Sequence, residues 1–188
     1  MSIGREDAAQ ALKAAEEAAG RSERLHGYRG ASGFLILWGL VWAVMDVGYY
    51  LGPKTGDWLS LAGDAVGFGG SVLLGMRMKQ RRSGGGYPAR GLVGALLIAF
   101  SIGLFGLGIS TVAPVQTAAQ GQAIAGLAVG CVYMALGAGQ GLRIAAVGLG
   151  MVALTLGGWV YAREQFMLWM AFAGGGGLVL SGLWLRTA

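Results

Sequence analysis

The chain has 188 residues, of which 55% are hydrophobic and 12% charged, about half the charge of an ordinary soluble domain. Ten of the 23 charged residues fall within the first 29 positions, so the remainder cannot coat a water-soluble globule of this size. A soluble enzyme, a nucleic-acid binder and a secreted disulfide module are thereby set aside, and an integral membrane protein of one domain is left.

Residues 1–28 are polar, alanine-rich and charged with both signs. Their Ala, Leu, Glu and Lys content favours a helix from about Arg5, and Glu17 and Arg21 stand at i,i+4 in the favourable order. The apolar positions are mostly alanine, without the bulky stripe of an interfacial anchor or the hydrophobic centre of a cleavable leader. The reading is a charged cytosolic helix, distinct from a membrane domain over 29–188.

Six apolar stretches follow, at 32–51, 58–78, 92–113, 118–138, 144–161 and 166–185. Each is near the 20 or so residues needed to cross about 30 Å of hydrocarbon. The connectors are short. Gly52 to Asp57 reads as a turn, and so does the stretch around Pro114. The expected fold is all-α: a polytopic bundle of six helices arranged as three antiparallel hairpins. Most of the 37 glycines lie within these runs, as expected where membrane helices pack backbone to backbone. The sets Gly67/Ser71/Gly75, Gly106/Ser110, Gly126/Gly130 and Gly137/Gly141 carry that small-xxx-small spacing.

Orientation follows from the basic residues. Arg5, Lys13, Arg21, Arg24, Arg29, Arg77, Lys79, Arg81, Arg82, Arg90, Arg143 and Arg186 fall on one side; only Lys54 and Arg163 fall on the other. The chain is expected to be a multi-pass inner-membrane protein with both termini cytoplasmic. The asymmetry accounts for a pI near 9.7 without a nucleic-acid partner. Tyr49, Tyr50, Trp58, Trp159 and Tyr161 gather near the outer span ends and Trp184 near an inner one, as in an aromatic belt.

Two echoes suggest an internal repeat. Gly69–Gly75 resembles Gly176–Gly182, each with a basic residue four positions later, and Arg29–Gly33 resembles Arg90–Gly94. Both have the sense of hairpins duplicated in the same orientation, as in transporters built from parallel repeats. The competing explanation is shared Gly, Leu and Val composition.

Asp46 and Asp64 are the acids clearly inside the apolar runs. At 1.5 Å per residue, each lies about 10 Å into its span from the Gly52–Asp57 turn. At 100° per residue, Trp38, Trp42, Asp46 and Tyr49 fall on one face of the first helix, and Asp64 shares a face of the second with Phe68 and Ser71. If the two faces meet, a pair of carboxyls sits under an aromatic rim and forms a proton or cation site. The plainer alternative keeps each Asp near the interface, bonded to a neighbouring helix. Each costs about 2.5–3.5 kcal/mol at a bilayer centre, which marks such acids as functional by default. Trp38, Trp42, Asp46, Tyr49, Asp64 and Ser71 are the candidate binding residues. Gly174, Gly175, Gly176 and Gly177 form a soft point in the last span, either a hinge or a smooth packing groove.

Enzyme signatures fail on context. Gly30-Ala31-Ser32-Gly33 resembles the Gly-x-Ser-Gly of rhomboid-type intramembrane proteases, but the lone histidine, His26, precedes the spans. Glu16-Glu17-Ala18-Ala19-Gly20-Arg21 resembles the Glu-Glu-x-x-x-Arg of CAAX-type membrane proteases, but lies in the cytosolic segment. One cysteine and one histidine cannot make a four-ligand zinc site, and Cys131 reads as a small packing residue. We therefore expect no enzyme, no catalytic residue, no cofactor and no metal. The expected partners are membrane lipids, a second copy of the chain and a cytosolic protein at residues 5–28. The leading expectation is a small transporter or channel-like protein for a cation or proton-coupled solute; the alternative is a regulatory subunit acting through its N-terminal helix.

Overall fold

In a computed structural model, residues 4–81, 104–105, 107–109, 111–112 and 115–187 are described. Among them, five helices are long and apolar enough to cross a membrane. They are α1 (Arg5–Leu51), α2 (Pro53–Arg81), α3 (Ala118–Gln140), α4 (Leu142–Tyr161) and the composite α5 (Arg163–Arg186). The chain is an all-α bundle of membrane-spanning helices. The expected span at 92–113, the pair Gly106/Ser110 and the echo at Arg90–Gly94 lie largely outside the described residues.

The polar N-terminal helix and the first span are one element. α1 runs for 47 residues without a break, about 70 Å at 1.5 Å per residue. No proline interrupts it, and its glycines are spaced singly among good helix formers. It ends at Gly52, which at φ 155° makes the turn. The expected loop at Gly52–Asp57 shrinks to that one residue, because Pro53 opens α2 directly. A first-turn proline has its φ preset and no N–H to satisfy, so it starts a helix here.

α1 presents two packing faces. Trp38, Val41 and Met45 pack on Gly63 and Gly67 of α2, while Gly39 and Ala43 meet Gly175 of α5. A methyl group built on Gly39 would lie 2.7 Å from the Gly175 carbonyl oxygen, so the glycines set how closely these backbones approach. α3 and α4 form the other intimate pair. Gly126 faces Thr155, Gly130 faces Val152, and Gly137 faces Ala145, the packing use expected of those spacings. Cys131, one residue round from Gly130, is exposed rather than packed.

The closest pairs among the described residues are thus α1/α2, α3/α4 and α1/α5, so the last span lies on the first rather than principally on its sequence neighbour. Within α5 the helix widens into a π turn over Met170–Gly175 before resuming at Gly176, at the predicted soft point. Gly175 rests on α1, Gly174 lies beside the Met170 side chain and Gly177 beside Leu154, while Gly176 meets open space. The two halves of the described echo lie on different sides of α1: Gly70 against Leu37, Gly182 against Ser32 and Ile36. Leu35, Ile144, Met151, Phe166, Met170, Leu178 and Leu185 fill the centre.

Candidate functional site

Asp46 lies one turn beyond Trp42 on α1, and the two face the interior; the carboxyl-bearing residue is only 1% exposed. Its partner comes from a distant part of the chain. The Gln122 side-chain amide donates to Asp46 Oδ2 at 3.1 Å. Gln122 stands there because α3 starts at a defined point. Thr117 Oγ1 accepts from the Gln120 backbone N–H at 3.2 Å, and Gln120 Oε1 accepts from the Thr117 N–H at 3.3 Å, a reciprocal cap that satisfies two orphan donors. Gln122 follows one turn inside. The pair therefore sits about 6 Å along the axis from the start of α3, below the end that carries Gly52.

The remaining predicted residues divide between two environments. Trp42 is buried with Asp46. Trp38 points to the other face, where its Nε1–H donates to Ser71 Oγ at 3.1 Å and its ring meets Phe68 edge to face at 5.4 Å. Tyr49 Oη donates to Asp57 Oδ1 at 3.2 Å. Asp64 is exposed on α2 and is not brought to Asp46. The expected pair of carboxyls depended on the Asp46 face meeting α2. Trp38, Val41 and Met45 make that contact instead, and Asp46 is turned toward α3.

The α3/α4 seam opens into a largely apolar groove of about 400 Å³, whose lining includes Gln120, Ala123, Ile124, Thr155, Leu156 and Trp159 but neither Asp46 nor Gln122. Thr155 is buried and donates its hydroxyl to the Met151 carbonyl at 2.8 Å, which leaves it only acceptor capacity toward neighbours. Among the described residues, no group of three His, Cys, Asp or Glu side chains could hold a metal ion.

Chemically, this is a buried acid with one neutral amide donor. An ionised carboxylate in such surroundings needs a counter-charge, and an amide supplies a hydrogen bond but no charge. A proton or a small cation is the natural complement. Gln122 is uncharged, so the charge pattern of the spans does not reveal it. An inventory that includes amides finds Gln120 and Gln122 at the head of an otherwise apolar run. No protein-family model matches the chain, and no curated protein or solved structure matches it either.

Proposed function

We propose that this membrane protein binds a proton or small monovalent cation at Asp46 and passes it across an inner membrane, with both termini in the cytoplasm. The reading rests on one observation: a carboxylate 1% exposed inside a membrane-crossing helix, held by the Gln122 amide of another. Keeping an acid in such a place is costly, and an acid with no task there is readily replaced by an apolar residue. The twelve-to-two division of basic residues supports the orientation.

Reconstituted vesicles test this directly. With an inward-negative potassium diffusion potential and a trapped pH dye, the wild-type protein acidifies the lumen. A sodium dye in parallel vesicles identifies sodium as the ion if only that signal moves. Asp46→Asn abolishes the flux while Asp64→Asn retains it. Flux that survives Asp46→Asn in a correctly folded protein overturns the reading.

A second reading has its own support. α1 extends 22 residues before its membrane-crossing part begins at Gly27, a helical arm of about 33 Å whose described side chains, Gln10 to Ala15, are exposed. Such an arm suits a regulatory subunit that docks a cytosolic protein. Deleting residues 2–24 then removes a co-purifying protein and leaves the bundle intact; an unchanged set of partners rejects it.

A further inference from the structure

At the end of the bundle opposite Asp46, two arginines rest on neutral groups of α1 and α5. The guanidinium of Arg143, at the start of α4, lies over the rings of both Tyr28 and Trp184, at 5.9 and 5.3 Å from their centroids. Arg186 donates Nε–H to Ser32 Oγ at 3.0 Å, and the fully buried Ser32 donates in turn to the Gly182 carbonyl at 2.7 Å. Tyr28 and Ser32 are one turn apart on α1, and Trp184 and Arg186 are two residues apart on α5. One helical turn therefore separates the two guanidinium groups' supports.

Among the described side chains, the groups that fix the two cations are neutral. Arg143 spends its flat faces on two rings, which leaves its edge of N–H donors unused. Arg186 spends one N–H on a hydroxyl and keeps its two terminal amino groups. Of the carboxylates whose side chains are described, Asp46, Asp57, Asp64 and Glu164, none lies at this end of the bundle. Mutual repulsion between two oriented cations is relieved by an anion that accepts several hydrogen bonds at once, and the tetrahedral phosphate group matches guanidinium edges in that way. Trp184, 46% exposed at the end of its span, places the cluster at the depth where headgroups lie. The α4 backbone adds donors of its own, its first turn having neither a side-chain cap nor an acidic residue.

We infer that Arg143 and Arg186, seated on Tyr28, Trp184 and Ser32, form a phosphate-binding site for an anionic lipid headgroup. Basic pockets between membrane helices on the cytoplasmic side bind such groups. The site is independent of Asp46 and of any flux through it.

The test uses the full chain in neutral detergent and follows the thermal unfolding midpoint as phosphatidylglycerol, phosphatidylcholine or inorganic phosphate is added. Phosphatidylglycerol raises the midpoint by several degrees and phosphatidylcholine does not. Arg143→Gln and Arg186→Gln each weaken the apparent affinity by about 10-fold or more, as loss of a charge-assisted hydrogen bond requires. Arg163→Gln is the control: that arginine lies over Trp159 at 4.8 Å at the other end of the bundle, and its loss leaves the shift intact. A full shift with inorganic phosphate alone assigns the same site to free phosphate rather than lipid. Should Arg143→Gln not fold, the exposed Arg186 still supplies the test. Equal shifts with both lipids, or a shift that Arg186→Gln leaves unchanged, overturns the inference.

Discussion

Gly148 and Gly150 stand two residues apart on α4, and replacing each with alanine should move stability in opposite directions. A methyl group on Gly148 would lie 2.5 Å from the Gly130 carbonyl oxygen and 2.5 Å from the Met134 backbone nitrogen. Both obstacles are backbone atoms of α3, so no rotamer change makes room. To reach an ordinary 3.4 Å contact the helices must part by about 0.9 Å, and a gap of that size forfeits a quarter to a half of the dispersion energy of each affected contact. Overpacking of this kind costs about 1–3 kcal/mol, against which alanine recovers about 1 kcal/mol of helix propensity. The net expectation for Gly148→Ala is a loss of up to about 2 kcal/mol. Gly150 has nothing within 4 Å, so only the propensity term remains and Gly150→Ala gains up to about 1 kcal/mol. Unfolding in mixed micelles by added dodecyl sulfate, followed by tryptophan fluorescence, measures both. A Gly148→Ala midpoint at or above wild type, or a Gly150→Ala midpoint as low as that of Gly148→Ala, refutes the claim that glycine contacts set the α3/α4 spacing.

Two further outcomes use the same assay. Gln122→Leu leaves the Asp46 carboxylate without its donor and should cost about 1–3 kcal/mol, whereas Asp46→Leu combined with Gln122→Leu should lie closer to wild type than Gln122→Leu alone; additive losses would argue against the bond. Gly141→Ala should cost about 1–3 kcal/mol, since Gly141 has φ 119° and the Tyr28 hydroxyl occupies the space a side chain would need; a neutral result would mean the α3–α4 turn has another shape.

Much of the fold was legible because hydrophobic length and small-residue spacing are local properties. α3 begins at Ala118 as expected, and Gly126, Gly130 and Gly137 pack as their spacing predicts. One local reading fails on the double meaning of a single residue: Pro53 stands among turn formers yet opens a helix. The charge change near residue 28 falls inside one continuous helix, whose apolar part begins at Gly27. The site was half legible. Asp46 stands out by being charged in an apolar run, but periodicity cannot say which of two neighbours a buried face meets. Trp38 and Asp46 share a broad face of α1, yet one goes to α2 and the other to α3. That choice is made by tertiary packing: the glycines of α2 receive Trp38, and Gly39 admits α5 on the other side. Gln122, separated from Asp46 by 76 positions, has no local signature that would pair them.

The direct contact between Asp46 and Gln122 is the premise of the functional reading, and solid-state NMR in lipid bilayers can measure it. With carbon-13 in the aspartate carboxyls and nitrogen-15 in the glutamine side chains, the 3.1 Å hydrogen bond places the Asp46 carboxyl carbon about 4 Å from the Gln122 amide nitrogen. Dipolar dephasing at that distance is expected in the wild type and should vanish in Gln122→Leu. Absent dephasing in the wild type, or carboxyl–carboxyl proximity between Asp46 and Asp64, would contradict it.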